Sequence, residues 1–463
     1  MKKLIYIFFL FVLNNKTGAQ NWAPVNCFYS NWQVRNMFVD SLHNKIILNF
    51  ANLNFSCNTS FKGALAFDGS NFSSLDYGMN THDPFPNTSG NAFSSITFGN
   101  KTLYGGLFKS VGTNTLQATG LALWDNLKWD TFPKKAFKFN PNPNISGKSV
   151  VGFYKAFGKL WIYGGFDSLG GIQGKNLYTY DGTNFQNVSI PVTDNYLIRK
   201  IISYNDKLII AGGIGNFPFD NYRRIISYDG INWSNVGNGV QTSLGGVYDL
   251  AVYKDTLYIA GSFNKADGNA GSNLMKWSGT NLMDAGFGSF NGWGGINQLL
   301  VYKNRLYAFG NFETAADKKC FRAAYYENGK WTVNTDSIDN NIHNAVVFND
   351  TIYIAGGFSS INADTSLKYF VKLKCPDFDG CKKSTLSENL NSPFPNPCTN
   401  QLTINLPNEV QSNITIISSL GQLISKQTLS GKVNINTSIW ASGIYFIQIN
   451  NNYLNKTFKI IKE

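Results

Sequence analysis

The sequence predicts an all-β chain: a seven-bladed β-propeller of four-stranded blades, then a small immunoglobulin-like β-sandwich. Three observations predict it. Charged residues make up 15% of the 463-residue chain, aromatic residues another 15%, and there are 44 glycines. That balance suits short strands and tight turns rather than helices with charged faces. A nine-residue phrase, "DTLYIAGSF" at Asp255–Phe263 and "DTIYIAGGF" at Asp350–Phe358, recurs along the chain. An aromatic hairpin motif follows nearly every copy.

Seven copies of the phrase end at Leu53, Phe108, Phe166, Ile214, Phe263, Phe312 and Phe358, with 46 to 58 residues between successive ends. A period of this size belongs to a solenoid or a propeller. Each copy is preceded by a β-branched and aromatic run, as in "YDLAVYKD" (Tyr248–Asp255) and "HNAVVFND" (His343–Asp350), which reads as a buried strand. Six copies are followed by a bulky apolar residue, a turn, and a second bulky residue five positions on. These pairs are Phe67 and Phe72, Trp124 and Trp129, Tyr180 and Phe185, Tyr228 and Trp233, Trp277 and Leu282, and Tyr326 and Trp331. The turn residues supply the left-handed backbone of a tight hairpin. Each unit is thus a four-stranded antiparallel meander, the repeating element of a propeller.

The seventh unit stops at "KYFVKLKC", with no turn and no closing aromatic. The segment "NWAPV" (Asn21–Val25) supplies the missing fourth strand, with Trp22 in the aromatic slot. Glycine pairs in the second strands, such as Gly164-Gly165 and Gly356-Gly357, are expected to let neighbouring sheets approach near the axis.

Ahead of the repeats, Lys2 and Lys3 precede the apolar run Leu4–Leu13, and Thr17 and Ala19 precede a cut before Gln20. Residues 1–19 read as a signal peptide, too short for a membrane span. No other segment reads as a span. The cysteines of an exported chain default to disulfides. Cys375 with Cys381 and Cys27 with Cys57 are the expected pairs, while Cys320 and Cys398 remain unassigned. With 3 His residues a zinc site is not expected, and Asp377 and Asp379 read as a polar turn rather than a calcium loop. Neither metal nor cofactor is expected. The net charge is +12, but the lysines are scattered, so no nucleic-acid surface is expected.

Residues 20–376 carry the repeats, 377–390 read as a linker, and 391–463 as a separate β domain. The repeats resemble kelch-type propellers, with a shorter spacing from aromatic to Trp. The last segment resembles the type A C-terminal sorting domain of the Bacteroidetes type IX secretion system. Pro395-Asn396-Pro397, Leu420-Gly421-Gln422, Gly443-Ile444-Tyr445-Phe446 and Lys459-Ile460-Ile461-Lys462 carry that resemblance, and Cys398 departs from it. It implies export, recognition by the type IX translocon and its sortase, and a surface-anchored or released product.

No catalytic set is legible. His343 is expected as a solvated, turn-adjacent residue. Asp40, Asp194 and Asp249 would have to meet at the axis to serve a glycan-active hydrolase or lyase, the runner-up reading. The preferred reading is binding of a glycan or protein partner by the long connections at Asn80–Asn91, Ile214–Arg224 and Ser289–Asn297. These hold Phe85, Phe217, Phe219, Tyr222, Arg223 and Trp293, whose rings and guanidinium suit stacking and anchoring.

Overall fold

The computed structural model describes residues 21–25, 28, 33–50, 63–76, 78–80, 90–113, 115–132, 149–191, 197–214, 224–242, 245–288, 294–374, 378, 392–406, 411–419, 421–451 and 454–463. Apart from one 3₁₀ turn at Lys265–Asp267, the regular structure among these residues is β. The chain divides into two compact units, Met1–Phe378 and Asp379–Glu463.

The first unit holds seven four-stranded antiparallel sheets. Sheet one comprises Val34–Asp40, Lys45–Phe50, Ala64–Phe67 and Phe72–Ser74. Sheet two comprises Asn91–Phe98, Lys101–Leu107, Leu121–Trp124 and Trp129–Thr131. Sheet three comprises Val150–Ala156, Lys159–Gly164, Leu177–Tyr180 and Phe185–Asn187. Sheet four comprises Ile198–Tyr204, Lys207–Gly212, Ile225–Tyr228 and Trp233–Asn235. Sheet five comprises Gly246–Tyr253, Thr256–Ser262, Leu274–Trp277 and Leu282–Asp284. Sheet six comprises Ile296–Tyr302, Arg305–Gly310, Ala323–Glu327 and Lys330–Val333. Sheet seven takes Ile342–Phe348, Thr351–Gly356 and Phe370–Leu373 from one end of the unit and Trp22–Pro24 from the other. The first strand of each sheet touches the first strand of the next, and that of sheet seven touches that of sheet one.

Local chemistry explains the meander. In sheets three to seven the first turns are left-handed at both central residues: Lys254 and Asp255 have φ of 48° and 54°, Asn349 and Asp350 of 45° and 56°. This is the type I′ geometry whose twist matches paired strands. Second strands are buried on both faces, as in Leu208–Ala211, and so read as unbroken apolar runs. The aromatic pairs five residues apart face each other directly across the second hairpin, Tyr228 against Trp233 and Trp124 against Trp129. The aspartate after the first aromatic closes that hairpin. Asp68 Oδ1 accepts from Ser70 N at 2.8 Å and Asn71 N at 2.7 Å. Asp125, Asp181 and Asp229 repeat the arrangement. These backbone N–H groups hold all four carboxyls below the usual aspartate range.

The expected pairing of the leading segment is present: Trp22 lies opposite Leu373 and Pro24 opposite Val371. Lys374 N donates to Asn21 O at 2.6 Å, and Asn21 N donates to Asp336 Oδ2 at 2.9 Å. Trp22 is 2% exposed and packs on Phe378, ring centroids 6.1 Å apart.

In the second unit, a four-stranded sheet runs in the order Leu423–Leu429, Ser412–Ser418, Gly443–Asn451, Leu454–Lys462. Gln401–Asn405 and Lys432–Asn436 form a second, two-stranded sheet. Leu402, Ile404, Ile414, Ile416, Ile447 and Ile460 build the core of this unit.

Two outcomes test this account. Trp22→Ala is expected to cost about 3–5 kcal/mol in urea denaturation, because it empties a fully buried site in a strand of three residues. The four hairpin aspartates contribute stability above the unfolded carboxylate pKa of about 3.9, and it is lost as pH falls through their lower folded values. Replacing all four with Asn keeps the acceptor oxygen and removes the titration. The variant's unfolding free energy should fall less than the wild type's between about pH 5 and pH 2; equal slopes would refute the hairpin role.

Candidate functional site

In every one of the seven sheets, the pairing of first and second strands skips one residue. The skipped residues are Arg35, Phe93, Val151, Arg199, Tyr248, Asn297 and His343. Such β-bulges re-aim a side chain and cluster beside functional sites. Each lies five positions before the last residue of its strand, so all seven occupy one register at one end of the sheets.

The glycines of the second strands find their reason here. Gly106, Gly164, Gly212, Gly261, Gly310 and Gly356 pair with the residue just before the bulge. A Cβ at any of them would overlap a carbonyl oxygen of the first strand's approach, Asn91 O for Gly106 and Asn341 O for Gly356. The expectation that these glycines serve contact between neighbouring sheets is therefore corrected: the recurring one accommodates the bulge of its own sheet. Gly105, beside Val150 and Phe153 of sheet three, does serve the neighbour.

Side chains at the bulges and just after them reach forward to the next sheet. Asn36 Nδ2 donates to Phe93 O at 2.9 Å, and Gln298 exchanges two 2.8 Å bonds with the backbone of Ala345. Asn297 Nδ2 donates to Ile342 O at 2.8 Å. His343 Nδ1 lies 3.0 Å from Val34 O, across the seam between sheets seven and one. His343 is thus half-buried in a strand rather than solvated beside a turn, because the bulge turns it toward sheet one.

The buried carboxylates belong to this stitching. Asp249 is 4% exposed; its Oδ1 is 2.8 Å from Lys200 Nζ of sheet four, and its Oδ2 accepts from Leu299 N of sheet six at 2.9 Å. The Asp249 charge raises Lys200 above the usual lysine range. With both oxygens occupied, Asp249 is an anchor rather than a base. Asp40 sits at the other end of its strand, where it accepts from Thr102 Oγ1 at 2.8 Å and Tyr104 OH at 2.7 Å and meets His43 Nδ1 at 2.8 Å. Burial first, and then Asp40, push the Tyr104 hydroxyl well above its usual range. Asp40 and Asp249 are therefore not brought together.

The predicted binding residues Phe85, Phe217, Phe219, Tyr222, Arg223 and Trp293 lie outside the described residues, as do Asp194, Asp377, Asp379, Cys27, Cys57, Cys375 and Cys381. The described strands place the flanks of their connections: Asn91, Gly212, Ile225 and Ile296 all stand at the bulge end. Cys320 and Cys398 are buried free thiols, and burial pushes Cys320 up to about 12. Residues that the sequence reading missed are Arg35 and Arg199, both exposed, and Tyr248, whose ring lies 5.0 Å from the Arg199 guanidinium carbon.

In the second unit several sorting residues meet on the last strand. Asn396, between Pro395 and Pro397, donates from Nδ2 to Lys459 O at 2.9 Å and accepts from Ile461 N at 2.8 Å. Cys398 N donates to Ile461 O, and Glu463 N donates to Cys398 O. Gly421, with φ of 81°, makes the turn at Ser418–Gln422. Gly443 pairs with Lys462, whose Nζ donates to Glu463 O, and Tyr445 OH donates to Ala441 O at 2.9 Å.

Asp249→Ala would leave Lys200 without its partner and Leu299 N without its acceptor. Since the Lys200 side chain is 35% exposed, the expected loss is about 2 kcal/mol by urea denaturation. A wild-type midpoint would refute the anchoring role.

No curated protein matches this chain. Among solved structures it is similar to the extracellular domain of a B. thetaiotaomicron protein named as a one component system, at 11% identity and a TM-score of 0.44; the match covers 96% of this chain and 58% of that one. The WD40 repeats of RRP9 match at 8% identity and a TM-score of 0.42, covering 77% of this chain and 98% of that one. Xyloglucan PUL GH43B of Bacteroides ovatus matches at 11% identity and a TM-score of 0.29, covering 82% and 89%. Residues 392–463 match the family of secretion system C-terminal sorting domains, Por_Secre_tail. The chain therefore carries a type IX secretion sorting domain at its carboxy-terminal end, and the protein is exported to a cell-surface or secreted location.

Proposed function

We propose that this protein is an exported binding or adhesion module whose seven sheets are the blades of a kelch-like propeller. In this reading residues 1–19 are a signal peptide, 20–376 the propeller, 377–390 a linker, and 391–463 an immunoglobulin-like sandwich recognised by the type IX translocon and its sortase. Two disulfides, Cys27–Cys57 and Cys375–Cys381, belong to the same reading. The cyclic order of first-strand contacts supports the blade count.

The loop face at the bulge end holds a glycan or protein partner. The observation that carries this reading is the common register of seven bulges, which gathers polar and aromatic side chains where the long connections leave. A glycoside hydrolase instead needs two carboxyl groups facing one bond, about 5–10 Å apart. Asp249 is committed to Lys200 and Leu299, and Asp40 stands at the opposite strand end, so the arrangement favours binding over hydrolysis.

A glycan array probed with the secreted protein tests the reading, with Trp293→Ala alongside. Wild type is expected to bind, and the variant to lose most of that signal. Equal signals remove Trp293 from the site, and release of reducing sugar from a bound glycan overturns the non-catalytic reading. A chain ending at residue 391 is expected to remain in the periplasm; its appearance outside the cell would overturn the role of the last domain.

A further inference from the structure

We infer that the bulge end of the first strands is an acidic-sugar site, in which Arg35 and Arg199 pair with a carboxylate or sulfate while Phe93 and Tyr248 offer ring faces to the sugar. This rests on the closed-ring, glycan-binding reading above and names the class of glycan.

The seven equivalent bulge positions carry two arginines and one histidine, and no carboxylate. One position further along each strand, Lys200 and Asp249 neutralise each other, so that layer does not cancel the positive charge. Arg35 and Arg199 are exposed, and neither has a carboxylate partner among the described residues. A guanidinium fork matches a planar carboxylate or a sulfate edge better than a point charge does. Where basic groups line an opening, the field is focused on it.

A neighbouring ring orients Arg199. Tyr248 holds the Arg199 guanidinium over its ring, in the geometry of a cation–π contact. His343 bonds the carbonyl of Val34, the residue before Arg35, so Arg35 and His343 share the seam between sheets seven and one. Asn297 is tied to Ile342 O and completes a polar stretch of the same rim. A half-buried aromatic ring beside the Arg199 guanidinium favours a charged sugar over an acidic peptide, because a pyranose presents an apolar face for stacking as well as its acid group.

The test uses the secreted full-length protein and isothermal titration calorimetry with four probes. These are a galacturonate tetrasaccharide, a heparin-derived tetrasaccharide, neutral maltotetraose and a tetraglutamate peptide. Wild type is expected to bind at least one acidic tetrasaccharide, which identifies the acid group as carboxylate or sulfate. The double variant R35Q/R199Q should weaken that binding about tenfold or more. The double variant K128Q/K330Q, which removes the same charge from exposed hairpins elsewhere, should leave it within about twofold. Thermal melts equal to wild type keep the comparison among folded proteins. The inference is overturned if neither acidic sugar binds, if the lysine variant loses as much as the arginine variant, or if only the peptide binds. Binding of the neutral sugar alone, abolished by Trp293→Ala, overturns this site while leaving the glycan-binding reading intact.

Discussion

Three residues, Trp22–Pro24, laid against Phe370–Leu373 make one sheet out of two distant parts of the chain. Without that pairing Phe370–Leu373 would be an open edge, with unpaired backbone groups and an exposed hydrophobic face. At the opposite edge of the same sheet, the first strands of sheets seven and one meet, where His343 reaches Val34. The other six first-strand contacts join sheets that follow one another in sequence; this one alone joins sheets from distant parts of the chain. The buried Trp22 ring, locked between the sheet and Phe378, holds the join.

What the sequence discloses follows the range of the interaction. The hairpin aromatics, five apart and directly opposed, are legible because turn and partners lie within six residues. The leading strand is legible by elimination, since one unit lacked a closing aromatic. The bulges are not, because their register is constant while their occupants run from Arg35 to Val151 to His343, so no residue pattern marks them. The glycines are legible as close approaches but not as to which backbone approaches. Asp249 illustrates the same limit: its partners, Lys200 and Leu299, lie about fifty residues away on either side and become neighbours only once three sheets have stacked. The carboxy-terminal unit is the reverse case, where short motifs name the domain and Asn396 reveals why they sit at its two ends: it binds the first motif to the last strand.

The seven-fold repetition separates scaffold from specificity. Glycines, left-handed turns and hairpin aspartates recur because every sheet must solve the same backbone problem. The bulge positions carry different residues in the seven sheets, because the pairing skips them. A repeated frame with one freely variable position per unit is how a common fold acquires a particular surface.

The join between Trp22 and Leu373 has a temporal side. Trp22 leaves the ribosome roughly 350 residues before the strand that receives it, so this pairing forms only after nearly all of the repeat unit has been made. The toll of such a long-range closure falls on folding speed; once made, it ties Trp22–Pro24 to the body of the repeat unit.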